Sequence, residues 1–302
     1  KKFKSIVVTG TNGKSTTCKL LAHILKKSKF KFLLGGNIGT PILNLKGVKK
    51  NIYVIIEASS FQLSHSKFIC PDYALLLNLT NDHLDWHGNK MNYLNAKLKI
   101  FQLQKKNQYA IINKKLKKDF LKKNFLSKLI VPKHEDYQKF KHKIKNNYLI
   151  SKINDENMNF VYSFVKLLKI KESLFVSAMK SFKGLSHRFE IFLKKKNVTF
   201  INDSKATSFT SSQLALSSLK NIYWILGGLP KKGDKLNISK FKKNVIKCYI
   251  IGNHTNFFKD QIKGKLPFSI TKNLNKSLIK IFKDFNSREK INKTILLSPA
   301  AA

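Results

Sequence analysis

Short apolar runs recur along the chain, and helical patterns separate them. They predict buried strands at residues 5–8, 51–57, 73–79, 109–113, 198–202, 222–226, 248–251 and 294–297. The runs at 51–57 and 73–79 are nearly continuous, which is typical of central parallel strands covered on both faces. Most of the strands stop in a polar or glycine-bearing turn. This rhythm predicts an α/β protein built on parallel sheets.

The chain of 302 residues is longer than a typical single domain, so we expect two domains. The segment 184–190, which reads GLSHRFE, is interpreted as the joint between them. We therefore predict a first, P-loop-type domain over residues 1–184 and a second, Rossmann-like α/β domain over 185–302. Residues 114–150 are rich in lysine and weakly patterned. We interpret them as short strands and a helix that form a peripheral flap.

The first strand leads into a glycine loop and then a helical pattern. The loop reads TGTNGKST over residues 9–16, and its candidate phosphate-binding residues are Gly10, Thr11, Asn12, Gly13, Lys14, Ser15 and Thr16. Backbone N–H groups and the positive end of the helix dipole favour an anion at such a turn. Lys14 would reach the terminal phosphates, and a hydroxyl would bind Mg²⁺. Two residues separate the glycines where the common motif has four, so an ordinary turn with a surface lysine is the alternative.

Three further strand ends in the first domain carry candidate ligands. The strand at 51–57 ends in Glu57, a candidate Mg²⁺ ligand opposite Ser15, or else a solvated carboxylate. After the strand at 73–79, Asp82, His83, Asp85 and His87 cluster in sequence, and this density favours a second cation or substrate site. The glycine-rich residues 35–39 predict close approach of a ligand to the backbone, with a plain turn as the alternative.

Other polar residues fit a structural role as well as a binding role. Asn154 and Asn157 precede an apolar helical pattern and are interpreted as helix caps. Arg188 is one of two arginines in the chain, and its guanidinium suits a phosphate, although it could instead pair with Glu190. The strand-end turns at 203–208, 227–234, 252–253 and 298–300 are expected to share one edge of the second sheet and to face the nucleotide cleft.

The formal net charge of +43 raises the possibility of a nucleic-acid partner. However, 57 of the 59 basic residues are lysine, and asparagine, isoleucine and phenylalanine are also abundant. This bias is typical of an AT-rich genome, so we predict no specific nucleic-acid partner. Three scattered cysteines indicate neither a disulfide framework nor a zinc site and fit a reducing cytoplasm. No apolar run approaches the ~20 residues of a membrane span, and no membrane partner is expected.

Nine sequence blocks, in order, resemble those of the Mur ligases, the ATP-dependent amide-forming enzymes of peptidoglycan synthesis. They are TGTNGKST, GGNIG, EASSFQL, NLTNDHLD, AKLKI, HRFE, NDSKATS, GGLPKKGD and LLSPA. GGNIG, SSFQL and NDSKATS are similar to the D-glutamate-adding members of the family. The Asp-Asn-Pro-Arg block expected of the diaminopimelate-adding members is absent.

The resemblance implies a role for each candidate residue. Residues implied to bind ATP are Thr11 to Thr16, with Lys14 on the phosphates, Asn157 near adenine, and Arg188 and Asp203 near the nucleotide. Residues implied to bind two Mg²⁺ ions are Ser15 and Glu57 for one, and His83 and a carbamylated Lys97 for the other. Residues implied to line the muramoyl substrate are Asn37, Ser59 and Gln62, and those implied to position D-glutamate or the acyl phosphate are Lys205, Thr207 and Lys231.

The implied reaction activates UDP-N-acetylmuramoyl-L-alanine as an acyl phosphate, which D-glutamate then attacks. A folylpolyglutamate-synthase-like ligase and, from another class, a basic nucleic-acid-stimulated NTPase remain alternatives. We expect a cytoplasmic monomer. The family also carries an N-terminal domain for the uridine diphosphate, and this sequence begins at the strand before the loop and ends inside the last block. The resemblance therefore implies a fragment that is a poor or inactive enzyme as given.

Overall fold

A computed structural model describes residues 3–80, 82–146, 148–149, 152–231, 233–285 and 291–301, with backbone alone at 152 and 153. The chain divides into two compact units. The first unit runs up to Phe182 and the second starts at Lys183, with residues 152 and 153 grouped with the second. No helix in the described part of the chain is both long and apolar enough to cross a membrane.

The first unit is built on a six-stranded sheet in which all strand pairs are parallel. Its strands are β1 Lys4–Thr9, β2 Phe32–Gly36, β3 Tyr53–Glu57, β4 Tyr73–Leu76, β5 Tyr109–Ile112 and β6 Lys128–Ile130. Their order across the sheet is β2-β3-β1-β4-β5-β6. The central strand β1 is buried from its second residue onward. Because β1, β3 and β4 are neighbours, the residues that follow them lie at one edge of the sheet.

Eight helices accompany this sheet in the described part of the first unit. They are α1 Lys14–Lys27, α2 Ser60–His65, α3 Leu84–His87, α4 Lys90–Gln102, α5 Lys117–Leu121, α6 His134–Lys141, α7 Lys152–Leu167 and α8 Glu172–Lys180. Helices α1 and α4 contact the strands of the sheet, and α8 packs on α1. Short 3-10 turns occupy Ile42–Asn44 and Lys114–Leu116. One apolar core joins β1, β4 and β5 to α4 through residues such as Val7, Leu76, Leu98 and Phe101.

The interpretation of residues 114–150 as a peripheral flap was wrong. One strand lies in the described part of this stretch, and it pairs with β5 as the edge of the main sheet. Two helices, α5 and α6, accompany it and bury Phe120, Tyr137 and Phe140. The apolar anchors are spaced among exposed lysines, which weakens the pattern that sequence reasoning depends on.

The second unit contains another six-stranded sheet. Its strands are β7 Glu190–Lys195, β8 Val198–Asn202, β9 Ile222–Leu226, β10 Val245–Ile251, β11 Phe268–Lys272 and β12 Lys293–Leu297, in the order β11-β10-β9-β12-β8-β7. Strand β7 pairs antiparallel with β8, and the other pairs are parallel. The helices are α9 Phe209–Ser218, α10 Thr255–Ile262 and α11 Leu274–Asp284, with a 3-10 turn at Lys242–Asn244.

The α/β class with parallel sheets is thus confirmed, but two strands of the second unit were not predicted. Strands β7 and β11 lie at the two edges of the sheet. They are mostly exposed or half-buried, in contrast to the fully buried β9. An edge strand has one paired side and can carry polar residues. It therefore lacks the apolar run by which β9 was recognised.

Candidate functional site

The glycine loop connects β1 directly to the N-terminus of α1. Gly13 precedes the helix with a φ of 82°, in the left-handed region that favours glycine. A Cβ at Gly13 would lie 2.2 Å from Asn157 Oδ1, so a larger residue would displace the Asn157 side chain in addition to straining the backbone. The loop therefore leaves the N-terminal end of a 14-residue helix at the edge of the sheet, where the helix dipole favours an anion.

Two lysines converge on one carbonyl oxygen of this loop. Lys14 Nζ donates to Gly10 O at 2.9 Å and to Thr11 O at 2.8 Å. Lys97 Nζ reaches the same Gly10 O at 3.0 Å from α4. The two side chains start 83 positions apart in sequence and meet because α4 packs beside the loop. Two amines, from different helices, thus lie together on the glycine loop.

Lys97 is unusual among the lysines because its side chain is buried, with 1% exposed. Its ammonium lies 4.5 Å from the centroid of the Tyr93 ring, and no carboxylate among the described residues forms an ion pair with it. Burial, reinforced by the nearby charge of Lys14, holds the pKa of Lys97 well below its usual value. A larger share of its amine is therefore neutral and nucleophilic than in an exposed lysine.

Glu57 ends β3 beside the loop strand and is 2% exposed. Its Oε1 accepts a hydrogen bond from Asn37 Nδ2 at 3.2 Å. Its Oε2 is also buried, and no hydrogen-bond partner for it exists among the described residues. A buried carboxylate oxygen with no donor is costly unless a cation completes it. The donor set at this position therefore fits a hard divalent cation such as Mg²⁺.

The side chains of Asp82, His83, Asp85 and His87, predicted to cluster, are not gathered into one set of metal-ligating groups. No group of three or more histidine, cysteine, aspartate or glutamate side chains in the described residues is placed to hold a metal ion. His87 turns inward, where its Nε2 lies 3.0 Å from Ser60 Oγ, while Asp85 is exposed. Helix α3 spans four residues, so its neighbouring side chains point in different directions.

His83 and His87 instead join an aromatic cluster around Phe61. The Phe61 ring centroid lies 4.8 Å from those of His83 and Trp86 and 5.7 Å from that of His87. His87 also packs on Tyr93, whose hydroxyl lies 3.1 Å from Thr11 Oγ1. Burial, followed by the charge of Lys97, lowers the pKa of His87. His83 Nε2 lies 3.5 Å from Asp82 Oδ2.

Ser59 and Gln62, which the resemblance assigns to the muramoyl substrate, form the N-terminal cap of α2. Ser59 Oγ accepts from Gln62 N at 3.2 Å, and Gln62 Oε1 accepts from Ser59 N at 2.9 Å. This reciprocal pair is a capping box. The Gln62 side chain is exposed, as is that of Asn37. The three residues lie around the end of β3 with Glu57.

The interpretation of Asn154 and Asn157 as helix caps was wrong. Helix α7 begins at Lys152, so both asparagines lie within the helix, and they are 2% and 5% exposed. Asn157 Oδ1 accepts from Thr17 Oγ1 at 3.3 Å beneath the loop. Asn157 Nδ2 donates to Asn154 Oδ1 at 3.2 Å. These amides join α7 to α1 instead of ending a helix.

A network of polar side chains, which sequence reasoning missed, is hydrogen-bonded to the backbone of the glycine loop. Asn78, which follows β4, accepts at its Oδ1 from Asn12 N at 2.8 Å and donates from its Nδ2 to Glu156 Oε2 at 2.7 Å. Asn113, which follows β5, donates from its Nδ2 to Glu156 Oε1 and, at 2.9 Å, to Leu77 O. Burial raises the pKa of Glu156, although these two amide donors oppose the shift.

The second unit has its own polar strand ends. Asp203 follows β8, and its carboxylate accepts from Phe189 N at 3.0 Å and from Ser298 Oγ at 2.9 Å. Burial raises the pKa of Asp203 to about 6, although both hydrogen bonds and the charge of Arg188 lower it. Ser298 O in turn accepts from Trp224 Nε1 at 2.8 Å. The end of β8 is thereby fixed to that of β12.

The remaining candidates of the second unit lie on the turns that follow β8 and β9. Lys205 is exposed and its backbone N–H donates to His187 O at 3.0 Å, while Thr207 is half-buried just before α9. Lys231 is half-buried after β9. Arg188 is half-buried, and the carboxylate of Glu190 accepts from His187 N at 2.7 Å. All these turns lie at the carboxyl edge of the parallel strands, where open α/β sheets bind ligands.

Comparison with known proteins identifies the family. The profile of the Mur ligase middle domain matches residues 8–175. A relative from Rickettsia prowazekii (strain Madrid E), named UDP-N-acetylmuramoylalanine–D-glutamate ligase, is 33% identical over 324 residues, covering 100% of this chain and 72% of the relative. A relative of the same name from Wolbachia sp. subsp. Brugia malayi (strain TRS) is 35% identical over 364 residues, with the same coverage.

The fold agrees with this assignment. The crystal structure of MurF ligase from Thermotoga maritima in complex with ADP superimposes with a TM-score of 0.73 at 17% identity, covering 99% of this chain and 77% of that chain. The chain belongs to the Mur ligase family. The resemblance drawn from the nine sequence blocks is thereby confirmed, and the chain is a member of a family of ATP-dependent ligases.

Proposed function

We propose that this protein joins D-glutamate to UDP-N-acetylmuramoyl-L-alanine at the expense of ATP. The convergence of Lys14 and Lys97 on Gly10 O, at 2.9 and 3.0 Å, carries this proposal. The Lys14 ammonium at the N-terminus of this 14-residue helix suits the terminal phosphates of a nucleotide. The buried amine of Lys97 beside it, with its lowered pKa, suits formation of a carbamate. The names of the relatives favour the D-glutamate reaction over that of a folylpolyglutamate-synthase-like ligase.

The reaction has two steps. A carboxylate oxygen of the muramoyl substrate bonds to the γ-phosphorus of ATP, and the bond from that phosphorus to ADP breaks. The amine of D-glutamate then bonds to the activated carbonyl carbon, loses a proton, and phosphate leaves. Lys14 stabilises the negative charge on the transferred phosphoryl oxygens, and the loop N–H groups orient them. Fixed donors lower the barrier because they need little rearrangement during the reaction.

Glu57 and Ser15 would hold one Mg²⁺ ion, and the unpartnered Glu57 Oε2 supports this assignment. The ion would neutralise phosphate charge during transfer. His83 and Lys97 would hold a second ion. For this, Lys97 would react with CO₂ to form a carbamate with release of a proton, and its burial and lowered pKa favour that reaction.

The second unit would supply the other binding groups. Arg188 and Asp203 would contact the nucleotide, and Lys205, Thr207 and Lys231 would position D-glutamate or the acyl phosphate. Asn37, Ser59 and Gln62 would contact the muramoyl group, and Asn157 would lie near adenine. We further propose that the protein acts as a monomer in the cytoplasm.

The test is turnover of the full-length protein with Lys14→Ala. Phosphate release with UDP-N-acetylmuramoyl-L-alanine, D-glutamate and ATP is expected to fall by about 100-fold or more, as in other sites that lose a preorganised donor. Lys19→Ala serves as the matched control, because Lys19 is exposed on the same helix. If Lys14→Ala turns over nearly as fast as wild type, the loop has no essential part in the reaction.

The choice of acceptor separates the rival functions in the same assay. Phosphate release that depends on L-glutamate and a folate, and not on D-glutamate, would favour the folylpolyglutamate-type ligase. Release that depends on added DNA or RNA would favour a nucleic-acid-stimulated NTPase.

A further inference from the structure

We propose that Glu156 is a positioning residue that sets the conformation of the phosphate-binding loop through the side chain of Asn78. Glu156 lies in the second turn of α7 and touches neither the loop backbone nor the helix that follows it through any described hydrogen bond. Its two carboxylate oxygens face the amide groups of Asn78 and Asn113. The inference rests on the proposed function, because it concerns how that site binds ATP.

Asn78 holds the loop by three hydrogen bonds. Its backbone O accepts from Thr11 N at 3.1 Å, and its side-chain Oδ1 accepts from Asn12 N at 2.8 Å. Its Nδ2 donates to Asn12 O at 3.2 Å. The side-chain amide of Asn78 thus forms hydrogen bonds with both the backbone N–H and the backbone C=O of Asn12, which lies between the two glycines. This arrangement works in one orientation of the Asn78 amide, since a flip would place its NH₂ group against the Asn12 N–H.

Glu156 selects that orientation. An ionised carboxylate has acceptors alone, so it requires the NH₂ group of Asn78 on its side, which leaves Oδ1 for the loop. The same argument applies to Asn113, whose NH₂ group faces the other carboxylate oxygen while its Oδ1 accepts from Lys115 N at 3.0 Å. One side chain thereby fixes two amides at the ends of β4 and β5.

Glu156→Gln tests the direction of these bonds with little change in size. Glutamine offers one oxygen and one NH₂ group, so it can satisfy one asparagine and must oppose the other. We expect the Kd of the full-length protein for ATP to rise by about tenfold, the effect of losing one or two hydrogen bonds. The KM for ATP should rise in parallel while kcat changes by less than about threefold.

A second substitution reverses the polarity of the pair. In Glu156→Gln with Asn78→Asp, the new carboxylate at position 78 can accept from both Asn12 N and the glutamine NH₂ group. It loses the bond that Asn78 Nδ2 donates to Asn12 O, so the recovery should be partial. The net charge of the network is restored, and affinity for ATP should recover by at least threefold relative to Glu156→Gln. Asp155→Asn is the matched control, because it removes one charge from the neighbouring position of the same helix, where Asp155 pairs with Lys141 at 2.7 Å.

A ligand-free readout separates this inference from the proposed function. Hydrogen exchange of the Asn12 amide should be faster in Glu156→Gln than in wild type and should slow again in the double variant. Equal exchange in wild type and Glu156→Gln, or a double variant no better protected than the single one, would overturn the positioning role. If the three proteins show the expected exchange pattern but wild type does not bind ATP, the proposed function would be overturned and the positioning role of Glu156 would stand.

Discussion

Lys97 shows how the surroundings of one residue can change its chemistry. Fifty-six other lysines share its side chain, and apart from the family resemblance of the AKLKI block no chemical feature of its neighbourhood distinguishes it. Packing of α4 against the loop buries it beside Lys14 and Tyr93, where a charged amine is disfavoured. Its burial could not be predicted from local sequence, because it depends on an element that follows the loop by some eighty residues.

Lys97→Ala provides the test at this scale. Removing the side chain should lower turnover by at least about 100-fold, and bicarbonate or a small carboxylate such as acetate should restore part of it by occupying the space of the proposed carbamate. Lys99→Ala is the control, since Lys99 lies two residues further along α4 and donates to Ser64 O. Full activity of Lys97→Ala without added carboxylate would exclude the carbamate.

Glu156 was missed for a related reason. A glutamate near the start of a predicted helix is ordinarily a surface residue that complements the helix dipole. Its partners Asn78 and Asn113 follow two different strands, and the three meet because β4 and β5 are neighbours in the sheet. By contrast, the loop at 9–16 was recognised from sequence, because a contiguous segment carries all of its functional groups.

At the scale of elements, the sequence was informative where burial is two-sided. Strand β9, which is buried along its whole length, has the predicted bounds, and so does β8, although β8 is mostly half-buried. The edge strands β7 and β11 were missed, and α7 starts earlier than predicted. Element boundaries at polar residues depend on tertiary hydrogen bonds, such as that from Asn154 Nδ2 to Tyr148 O at 2.7 Å.

Helix α2 gives a prediction at this scale, because its cap uses a residue also proposed to contact substrate. Ser59→Ala removes the acceptor for Gln62 N and should lower the free energy of unfolding by about 1 kcal/mol. Ser59→Asp keeps an acceptor at the same position and should restore most of that stability. Chemical denaturation measures both. A Ser59→Ala protein of unchanged stability but raised KM for the muramoyl substrate would assign Ser59 to binding alone.

At the scale of the whole molecule, charge is large but acidic groups are few. The chain carries 16 acidic residues against 59 basic ones. Few other carboxylates therefore contribute to the pH dependence of the free energy of unfolding, so the contribution of one buried carboxylate should be measurable. Asp203 is such a group, because burial raises its pKa from an ordinary value of 3.8 to about 6.

The predicted consequence is a loss of stability between about pH 4 and pH 6. Because the folded protein binds this proton more tightly than the unfolded chain, the contribution of Asp203 is full below pH 4 and declines as pH rises through about 6. The total change is on the order of 3 kcal/mol. The difference in unfolding free energy between wild type and Asp203→Asn, measured from pH 4 to pH 7, should shrink accordingly.

Asp260→Asn, on the exposed surface of α10, is the control: it shows how the unfolding free energy changes with pH when an exposed carboxylate is removed. A wild-type advantage over Asp203→Asn that stays constant across the same range would show that Asp203 does not retain its proton in the folded state.

The two tryptophans of the chain are divided between the two units. Trp86 belongs to the Phe61 cluster of the first unit and is 48% exposed, whereas Trp224 of the second unit is fully buried and donates to Ser298 O. A collisional quencher such as acrylamide will reach the first indole and spare the second. In a single unlabelled sample, the fluorescence of Trp86 can therefore report on ligand binding to the first unit, and that of Trp224 on unfolding of the second.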